Sequence, residues 1–509
     1  MYSPYRKGTK QMEIQEALSK LDALQRKMIA YNHALGLIDY DGATAAPAGA
    51  AANRAETLAL LSEESYKLST SAETMKLLDY LHANSDALDE THRRIVQIMY
   101  DEMNDMRRVP MEEYVEYQRL NAQSQDVWHQ AKEKDDYDLF KPYLEKMIAA
   151  NRRLMRYMKP DLPTYDALLD RYEKGLSRER CDAFFDTVRK ELVPLIHAVN
   201  AAPQVDDSCL FGLFPIAEQR KLSDYLMDVM KLDRAHVGIA ETEHPFTTAF
   251  TKYDVRITTH YHENNFSYSM YSVIHEGGHA LYDAHPADDL AYTVLGGGVS
   301  MSIHESQSRF YENIIGRSRG YIRLIAPKLR ELFPSLADVS DEALYRALNK
   351  AMPSLIRTEA DELTYCMHIL IRYELEQKLF DGLLSVDDLP AEWNRLYQEY
   401  LGIEVPTDRE GVLQDMHWSG GLFGYFPSYA LGSAYGAQML HVMKQTVYVE
   451  KALNDGDLSP INDWLEQHIW KYGGLYDPGV LLEKALGAPF DPQYYVRYLR
   501  DKYSELYGL

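Results

Sequence analysis

The chain has 509 residues, of which 46% are hydrophobic and 26% are charged, a composition typical of folded globular proteins and not of disordered or fibrous ones. Lysine and arginine contribute 54 positive charges against 77 acidic residues, which gives a formal net charge of -23. Because this charge repels phosphate backbones and anionic membrane surfaces, we expect neither nucleic acid nor a membrane among the partners.

The spacing of the cysteines and the composition of the first residues indicate the cellular compartment. Cys181, Cys209 and Cys366 are scattered, without the paired spacing of a disulfide framework or a CxxC metal site. The sequence MYSPYRKGTKQMEIQ lacks the apolar run of a secretory signal, and no segment approaches the roughly 20 apolar residues that span a bilayer. We therefore expect a cytoplasmic protein.

Most of the chain is predicted to be helical, because apolar residues recur three and four positions apart, beginning with Ile14, Leu18 and Leu21. No repeat or linker divides the chain. We expect a mainly α protein with one domain over 1–509, comprising a helical N-terminal part of about 1–235 and a metal-site part of about 236–509. After the first helix, the pattern predicts helices over about 53–83, 87–134, 137–159, 178–200, 216–231, 340–380 and 430–455, and a final helical run to the C-terminus.

One segment has the two-residue period of a strand. In DVRITT, Asp254, Arg256 and Thr258 alternate with the residues of the opposite face. The pattern predicts a small hairpin or sheet directly before the helix described next. The face that carries Asp254, Arg256 and Thr258 either lines a groove or faces water.

The segment His275–His279 reads HEGGH and has helical spacing. Positions i and i+4 of a helix face the same side, so both histidines can bind one ion while Glu276 lies beside it. A catalytic zinc needs a third protein ligand and an open position for water, and Glu305, after the Gly296–Gly298 turn, is the candidate. Glu276 would take a proton from the attacking water and hand it to the departing amine. The pattern predicts a zinc-dependent peptidase.

The alternative is an amphipathic helix whose histidines only pack. Gly277 and Gly278 argue against it, since each glycine costs a helix interior roughly 1 kcal/mol relative to alanine. The pair predicts instead that another segment approaches the helix backbone closely. For Glu305 the alternative is a surface i,i+4 ion pair with Arg309. Asp283, one turn after the second histidine, is a candidate hydrogen-bond partner for a metal-bound imidazole.

HEGGH and HESQS, together with three further motifs, resemble the carboxypeptidase Taq family of metallocarboxypeptidases. The further motifs are DxRxT at 254–258, IRxxAD at 356–361 and GxxQDxHW at 411–418, and all five stand in the family's order. The resemblance implies a mostly helical fold with a deep groove, a zinc or cobalt ion at its floor, and a homodimer. It implies removal of C-terminal residues from peptides with broad side-chain tolerance and a general stall at proline. It assigns His275, His279 and Glu305 as metal ligands and Glu276 as general base.

An exopeptidase must bind the free α-carboxylate of its substrate, for which a guanidinium is a planar, permanently charged partner. With the resemblance, we assign Arg357 as the main clamp and Arg256 as a helper or an organiser of the site. The alternative for Arg357 is an i,i+4 ion pair with Asp361 on a helix. His417 and Tyr425 are the candidate donors to the oxyanion of the tetrahedral intermediate.

Two other functions fit parts of the same pattern. A zinc endopeptidase would use the same ligands to cut internal bonds, and a non-catalytic helical scaffold would keep the motif as packing. Amidation of a peptide's C-terminus blocks a carboxypeptidase and spares an endopeptidase, whereas the metal content of the purified protein separates an enzyme from a scaffold.

Overall fold

The computed structural model describes residues 13–509, and this part of the chain is mainly helical, as predicted. The expectation about a secretory signal rests largely on residues 1–12, which lie outside the described residues. The first half contains α1 (Ile14–Thr44), α2 (Ala51–Thr70), α3 (Ala72–Ala83), α4 (Glu90–Arg108), α5 (Met111–Lys134), α6 (Tyr137–Met158), α7 (Thr164–Asp170), α8 (Arg178–Ala201) and α9 (Ile216–Val229). The second half contains α10 (Phe266–Ala284), α11 (Met301–Arg309), α12 (Arg319–Leu332), α13 (Asp341–Leu348), α14 (Tyr365–Asp381), α15 (Leu389–Leu401), α16 (Pro427–Met443), α17 (Val449–Asp455), α18 (Ser459–His468), α19 (Pro478–Leu486) and α20 (Gln493–Tyr507).

Several predicted helices are interrupted where local chemistry ends a helix. The predicted helix 53–83 is two helices, because Ser71 adopts an extended conformation and its hydroxyl caps α3 by accepting from the N–H of Thr74. The predicted helix 87–134 breaks before Pro110, which has no N–H to continue a helix. The prediction of helix over 340–380 is wrong for residues 349–364, where only the single turn Arg357–Glu359 is helical.

The predicted sheet is present and has three strands, β1 (Val237–Glu241), β2 (Thr247–Thr251) and β3 (Asp254–Thr259). Their order is β1-β3-β2, with β1 parallel and β2 antiparallel to β3, so β2 pairs with one neighbour only. Arg256 lies opposite Thr248 in this register. Helix α10 follows β3 and packs against both β2 and β3.

The core consists of two hydrophobic clusters. The larger one joins the helices from α5 onwards with the sheet, and it includes Ile274 of α10 and Ile303 of α11. The smaller one joins α1, α3 and α4 with Leu290 and Leu295, which lie in the connection between α10 and α11. Within residues 13–509, no helix combines the length and the apolar composition that crossing a membrane requires.

Candidate active site

The two histidines of HEGGH and Glu305 converge. Asn265 caps α10 by accepting from the N–H of Ser267, and the helix then runs unbroken through the motif. Oε2 of Glu305 lies 3.9 Å from Nε2 of His275 and 3.7 Å from Nε2 of His279. One ligand atom from each of the three residues lies within 4.8 Å of the other two, so the group can hold one metal ion.

Glycines bring the helices of the site together. A Cβ on Gly278 would lie 2.6 Å from the carbonyl oxygen of Gln307 in α11, so only a residue without a side chain fits there. At a second contact of α11, a Cβ on Gly432 of α16 would lie 2.7 Å from Cβ of Glu305. The close approach that the glycine pair predicts is therefore present at Gly278, and it sets the position of α11.

Each candidate ligand histidine is oriented through its second nitrogen. Nδ1 of His275 lies 2.8 Å from Oε2 of Glu312, and Nδ1 of His279 lies 3.0 Å from Nδ1 of His304. The prediction that Asp283 is the hydrogen-bond partner of His279 is wrong, because Oδ1 of Asp283 lies 3.1 Å from Nε2 of His304 instead. Because His304 of α11 lies between Asp283 and His279, the Asp283 carboxylate acts on the candidate ligand His279 through the His304 imidazole.

Arg309 links the carboxylates of this network. Its Nε donates to Oε1 of Glu305 at 2.7 Å and its Nη1 donates to Oε2 of Glu312 at 3.2 Å. The two interpretations of Glu305 are therefore both present: its carboxylate pairs with Arg309 and also approaches the two histidines. The ion pair between Arg309 and Glu305 is buried rather than exposed. Sequence reasoning missed Glu312, which lies in a π-helical turn over Phe310–Ile315. The i, i+4, i+7 spacing of Glu305, Arg309 and Glu312 on one helix face was the available signal.

Glu276 is buried beside the two histidines. Its Oε2 accepts a hydrogen bond from Oγ1 of Thr247 at 2.6 Å, which ties it to β2. Burial raises the pKa of Glu276, against the opposing effects of His275 and the Thr247 hydroxyl. A carboxylate whose pKa is raised toward neutrality is suited to accept and return a proton.

These groups line a cavity of about 720 Å³. Its walls come from α1, from residues 246–251 along β2, from the Gly296–Gly298 turn and from the start of α16. Among residues 13–509, β2 has β3 as its single partner in the sheet, so the other edge of β2 can offer backbone groups to this groove. The chemically relevant side chains in the lining are His275, Glu276, His279, Asp283, His304, Glu305, Tyr425, Ser428 and Tyr429.

Tyr425 lines the groove, whereas His417 lies behind it. Nε2 of His417 is 3.2 Å from the hydroxyl of Tyr429, and its ring packs 5.6 Å from that of Tyr425. Burial lowers the pKa of His417 to about 4, so its ring is neutral at neutral pH. Both candidate oxyanion donors, His417 and Tyr425, therefore belong to one aromatic cluster with Tyr429. Of the two, Tyr425 lines the cavity.

Arg357 does not share a helix with Asp361, and the alternative interpretation of an ion pair between them is wrong. Its Nε and Nη2 both donate to Oδ1 of Asp415, at 3.0 and 2.8 Å, and its Nη1 donates to the hydroxyl of Tyr365. Asp361 instead accepts from backbone N–H groups, among them that of Thr364 at 3.0 Å. Arg357 lies outside the cavity lining, with its guanidinium carbon 5.0 Å from the centre of the Tyr429 ring.

Arg256 is also outside the cavity lining. Its guanidinium binds both carboxylate oxygens of Asp254, at 2.9 and 3.0 Å, and lies 5.0 Å from the centre of the Phe250 ring. Thr258 is buried and donates to the carbonyl of Phe246. The face of β3 that carries these residues therefore does not line the groove, and the side chains of Asp254 and Arg256 on it are partly exposed. It supports the Phe246–Thr251 wall from behind.

Comparisons with known proteins agree with this geometry. The model of the carboxypeptidase Taq (M32) metallopeptidases matches residues 20–503. Carboxypeptidase 1 of Bacillus subtilis (strain 168) is 39% identical over 501 residues, which are 98% of this chain and 100% of that protein. Thermostable carboxypeptidase 1 of Pyrococcus furiosus is 34% identical and covers 96% of this chain and 98% of its own.

A solved structure of an M32 carboxypeptidase from Deinococcus radiodurans R1 superimposes with a TM-score of 0.94 at 34% identity, covering 97% of this chain and 100% of that one. The match of fold and sequence extends over nearly the whole molecule, and residues 20–503 include all five motifs. This chain is therefore a metallocarboxypeptidase, a hydrolase acting on the peptide bonds of peptide substrates, and it belongs to the carboxypeptidase Taq (M32) family.

Proposed function

We propose that this enzyme is zinc-dependent and removes residues one at a time from the free C-terminus of peptides, with broad side-chain tolerance and with Glu276 as general base. The observation that carries the proposal is the convergence of His275, His279 and Glu305 beside Glu276 in one groove. Cobalt is the alternative metal.

The donor set fits a catalytic zinc ion. Two imidazoles and one carboxylate are a known catalytic zinc set, which leaves a coordination position open. Nδ1 of His275 is engaged by Glu312 and Nδ1 of His279 by His304, so the Nε2 atom of each ring remains for the metal. When bound, such a metal lowers the pKa of a coordinated water and polarises the substrate carbonyl.

Glu276 then moves the proton. Its carboxylate accepts a proton from the attacking water and passes it to the amine that leaves. The Thr247 hydroxyl occupies Oε2 and so holds the side chain in one orientation, directed by β2. Tyr425, whose ring lines the groove, is our choice as donor to the oxyanion, and neutral His417 supports it through Tyr429.

Broad tolerance follows from the way the substrate backbone would be held. The free edge of β2 lines the groove, and a peptide that pairs with it is bound through main-chain hydrogen bonds. Such bonds are the same for every residue type except proline, which has no backbone N–H. Arg256 contributes as an organiser, since its Asp254-bound guanidinium supports Phe250 in this wall.

The free carboxylate of the substrate is assigned to the end of the groove near Arg357. Arg357 and Arg372 share the single carboxylate of Asp415, so these three groups sum to one positive charge. Tyr429 lies between this charge and the cavity. An uncompensated cation behind a wall of tyrosine hydroxyls attracts an anionic chain end and disfavours a neutral one.

The test uses one peptide in two forms, with a free and with an amidated C-terminus, incubated with the enzyme and analysed by mass spectrometry. We expect a ladder of C-terminal losses from the free acid and no cleavage of the amide. Internal fragments from both forms would instead identify an endopeptidase and refute the role of Arg357.

The metal and the base are tested together. We expect about one zinc or cobalt ion per chain by elemental analysis, in the wild type and in Glu276→Gln alike. Since general acid–base catalysis contributes about 10²- to 10⁴-fold, Glu276→Gln should lose activity on that scale while it keeps its metal. Loss of metal in this variant would mean that Glu276 acts as a ligand rather than as a base.

Assembly and location are part of the same proposal. We propose a homodimer, which the family resemblance supports, and light scattering coupled to size-exclusion chromatography tests it by giving the mass of the assembly. We propose the cytoplasm as the compartment, supported by three cysteines that are free thiols. Fractionation of cells that produce the protein tests this location.

A further inference from the structure

Glu376 of α14 is a fully buried carboxylate that takes no part in the chemistry described above. Its Oε1 accepts from the indole Nε1 of Trp418 at 2.8 Å. Its Oε2 accepts from the backbone N–H of Gly424 at 2.8 Å and from the hydroxyl of Tyr165 at 2.9 Å. A buried carboxylate is costly unless its oxygens are paired, and here both are. Glu376 therefore fastens α14 to α7 and to the segment between α15 and α16.

Two of these donors stand at the ends of the segment that joins His417 to Tyr425. Trp418 directly follows His417, and Gly424 directly precedes Tyr425. Gly421 and Gly424 have φ values of 71° and 82°, so the segment is built of turns that only glycine adopts readily. Turns of this kind lack the regular hydrogen bonds of a helix or sheet, and their placement depends on side-chain contacts.

We infer that Glu376 is a positioning residue, which holds His417 and Tyr425 at the groove by fastening both ends of the segment between them. The inference rests on the roles proposed above for His417 and Tyr425. Tyr425 is confined on its other side by Tyr172, whose ring packs edge-on with centroids 4.9 Å apart. Without the hydrogen bonds that Trp418 and Gly424 donate to Glu376, the segment would lose the contacts that fix its position relative to the groove.

Glutamine cannot replace this carboxylate, although it has the same shape. Each carboxylate oxygen faces an N–H group, one from Trp418 and one from Gly424, and neither group can accept a hydrogen bond. Whichever way the amide of glutamine turns, its NH₂ group points at one of these donors. One end of the segment must therefore move away.

The test compares Glu376→Gln with Glu374→Gln in the intact, metal-loaded enzyme. Glu374 lies on the same helix but binds Arg189 and Tyr400, and it is no part of the groove. We expect Glu376→Gln to lose about 10- to 100-fold in kcat/KM, mainly through kcat, because a misplaced catalytic group costs this much. The metal content should stay at the wild-type value, and Glu374→Gln should match the wild type in kcat/KM.

A second comparison reports on the hydrogen bond itself. Adding Trp418→Phe to Glu376→Gln removes the donor that the amide NH₂ group would face, so the double variant should be more active than Glu376→Gln alone. A purely structural loss predicts the opposite order, because a second change in the core, which replaces a large buried side chain with a smaller one, would destabilise the fold further. Should Glu376→Gln not fold, Trp418→Phe and Tyr165→Phe serve instead, with an expected loss of about two- to tenfold in kcat/KM.

The outcomes separate this inference from the proposed function. If the wild-type enzyme releases no C-terminal residues, the proposed function fails. If it does and Glu376→Gln equals Glu374→Gln in kcat/KM, the positioning role of Glu376 is refuted. It is also refuted if the double variant is no more active than Glu376→Gln, or, where that variant does not fold, if Trp418→Phe and Tyr165→Phe both retain wild-type kcat/KM.

Discussion

Replacing Gly278 with alanine should lower the metal affinity of the site, because the new methyl group would push α11 away from α10. The new Cβ would lie 2.8 Å from Cα of Ser308 and 2.6 Å from the carbonyl oxygen of Gln307, both of which are backbone atoms. Two carbon atoms are in comfortable contact at about 3.5 Å, so α11 must move away by about 0.7 Å at this point (3.5 minus 2.8).

This movement carries the ligand with it. Glu305 lies in α11 two residues before Gln307, so its carboxylate moves relative to His275 and His279 on α10. Metal–ligand distances are specified within about 0.2 Å, and disturbing the support of a ligand typically costs about 10- to 100-fold in metal affinity. We therefore expect a loss of about 1.4 to 2.8 kcal/mol in the free energy of metal binding.

Gly277→Ala is the matched control, because it makes the same change at the neighbouring position of the same helix. There the new Cβ meets Cε and Sδ of Met230, at 2.7 and 2.8 Å, and the end of a thioether chain can turn aside. Both variants gain roughly 1 kcal/mol of helix propensity. Zinc affinity is measured by competition with a chromogenic chelator, and equal affinities for the two variants would refute the reasoning.

Three further variants test other parts of the site. Arg309→Gln removes the donor to Oε1 of Glu305 and should lower zinc affinity about tenfold in the same chelator assay. Asp415→Asn leaves the buried guanidinium of Arg372 without its anion and should cost about 3–5 kcal/mol of unfolding free energy in denaturant titrations. Burial raises the pKa of Asp415, but Arg372 outweighs it and holds this pKa well below its usual range. The stabilisation is thus present above the unfolded-state pKa of about 3.9 and is lost as the pH falls through the folded-state pKa, so Asp415→Asn should flatten the fall of stability below about pH 4. Tyr425→Phe should lower kcat about 10²- to 10³-fold with little change in KM, as measured by steady-state kinetics on a free-acid peptide.

The candidate ligands could be found in the sequence because their arrangement is local. Two histidines four apart on a helix face the same way in any fold, and the alternation in DVRITT indicates a strand without reference to its neighbours. Glu305 was harder to identify as a ligand from the sequence, since its contact with the histidines of α10 depends on the path of the connection between α10 and α11. The family motifs supplied that part of the prediction.

The partners of these residues depend on tertiary packing, and there sequence reasoning failed. Apolar spacing predicted a helix through Arg357, but residues 349–364 are irregular and Asp361 binds the backbone there rather than the guanidinium. Asp415, which holds Arg357, lies in another motif, and periodicity cannot pair distant segments. Glu312 was missed for a related reason: its spacing from Glu305 and Arg309 indicates a shared helix face, but its contact with Nδ1 of His275 depends on how two separate helices pack.

The geometry of the ligand set depends on residues that have no chemistry of their own. Helix α11 packs against both α10 and α16, and each of these helices meets it with a glycine, Gly278 from α10 and Gly432 from α16. A side chain at either glycine would collide with α11, so the absence of a Cβ is what permits this close packing. If α10 moved away from α11, the carboxylate of Glu305 would no longer reach the two histidines. If α16 moved away, the Glu305 side chain would lose the contact that restricts its conformation. The two glycines of HEGGH therefore differ in role: Gly278 meets the backbone of α11 and sets the distance between the ligand helices, whereas Gly277 meets the side-chain ends of Met230 and Leu232.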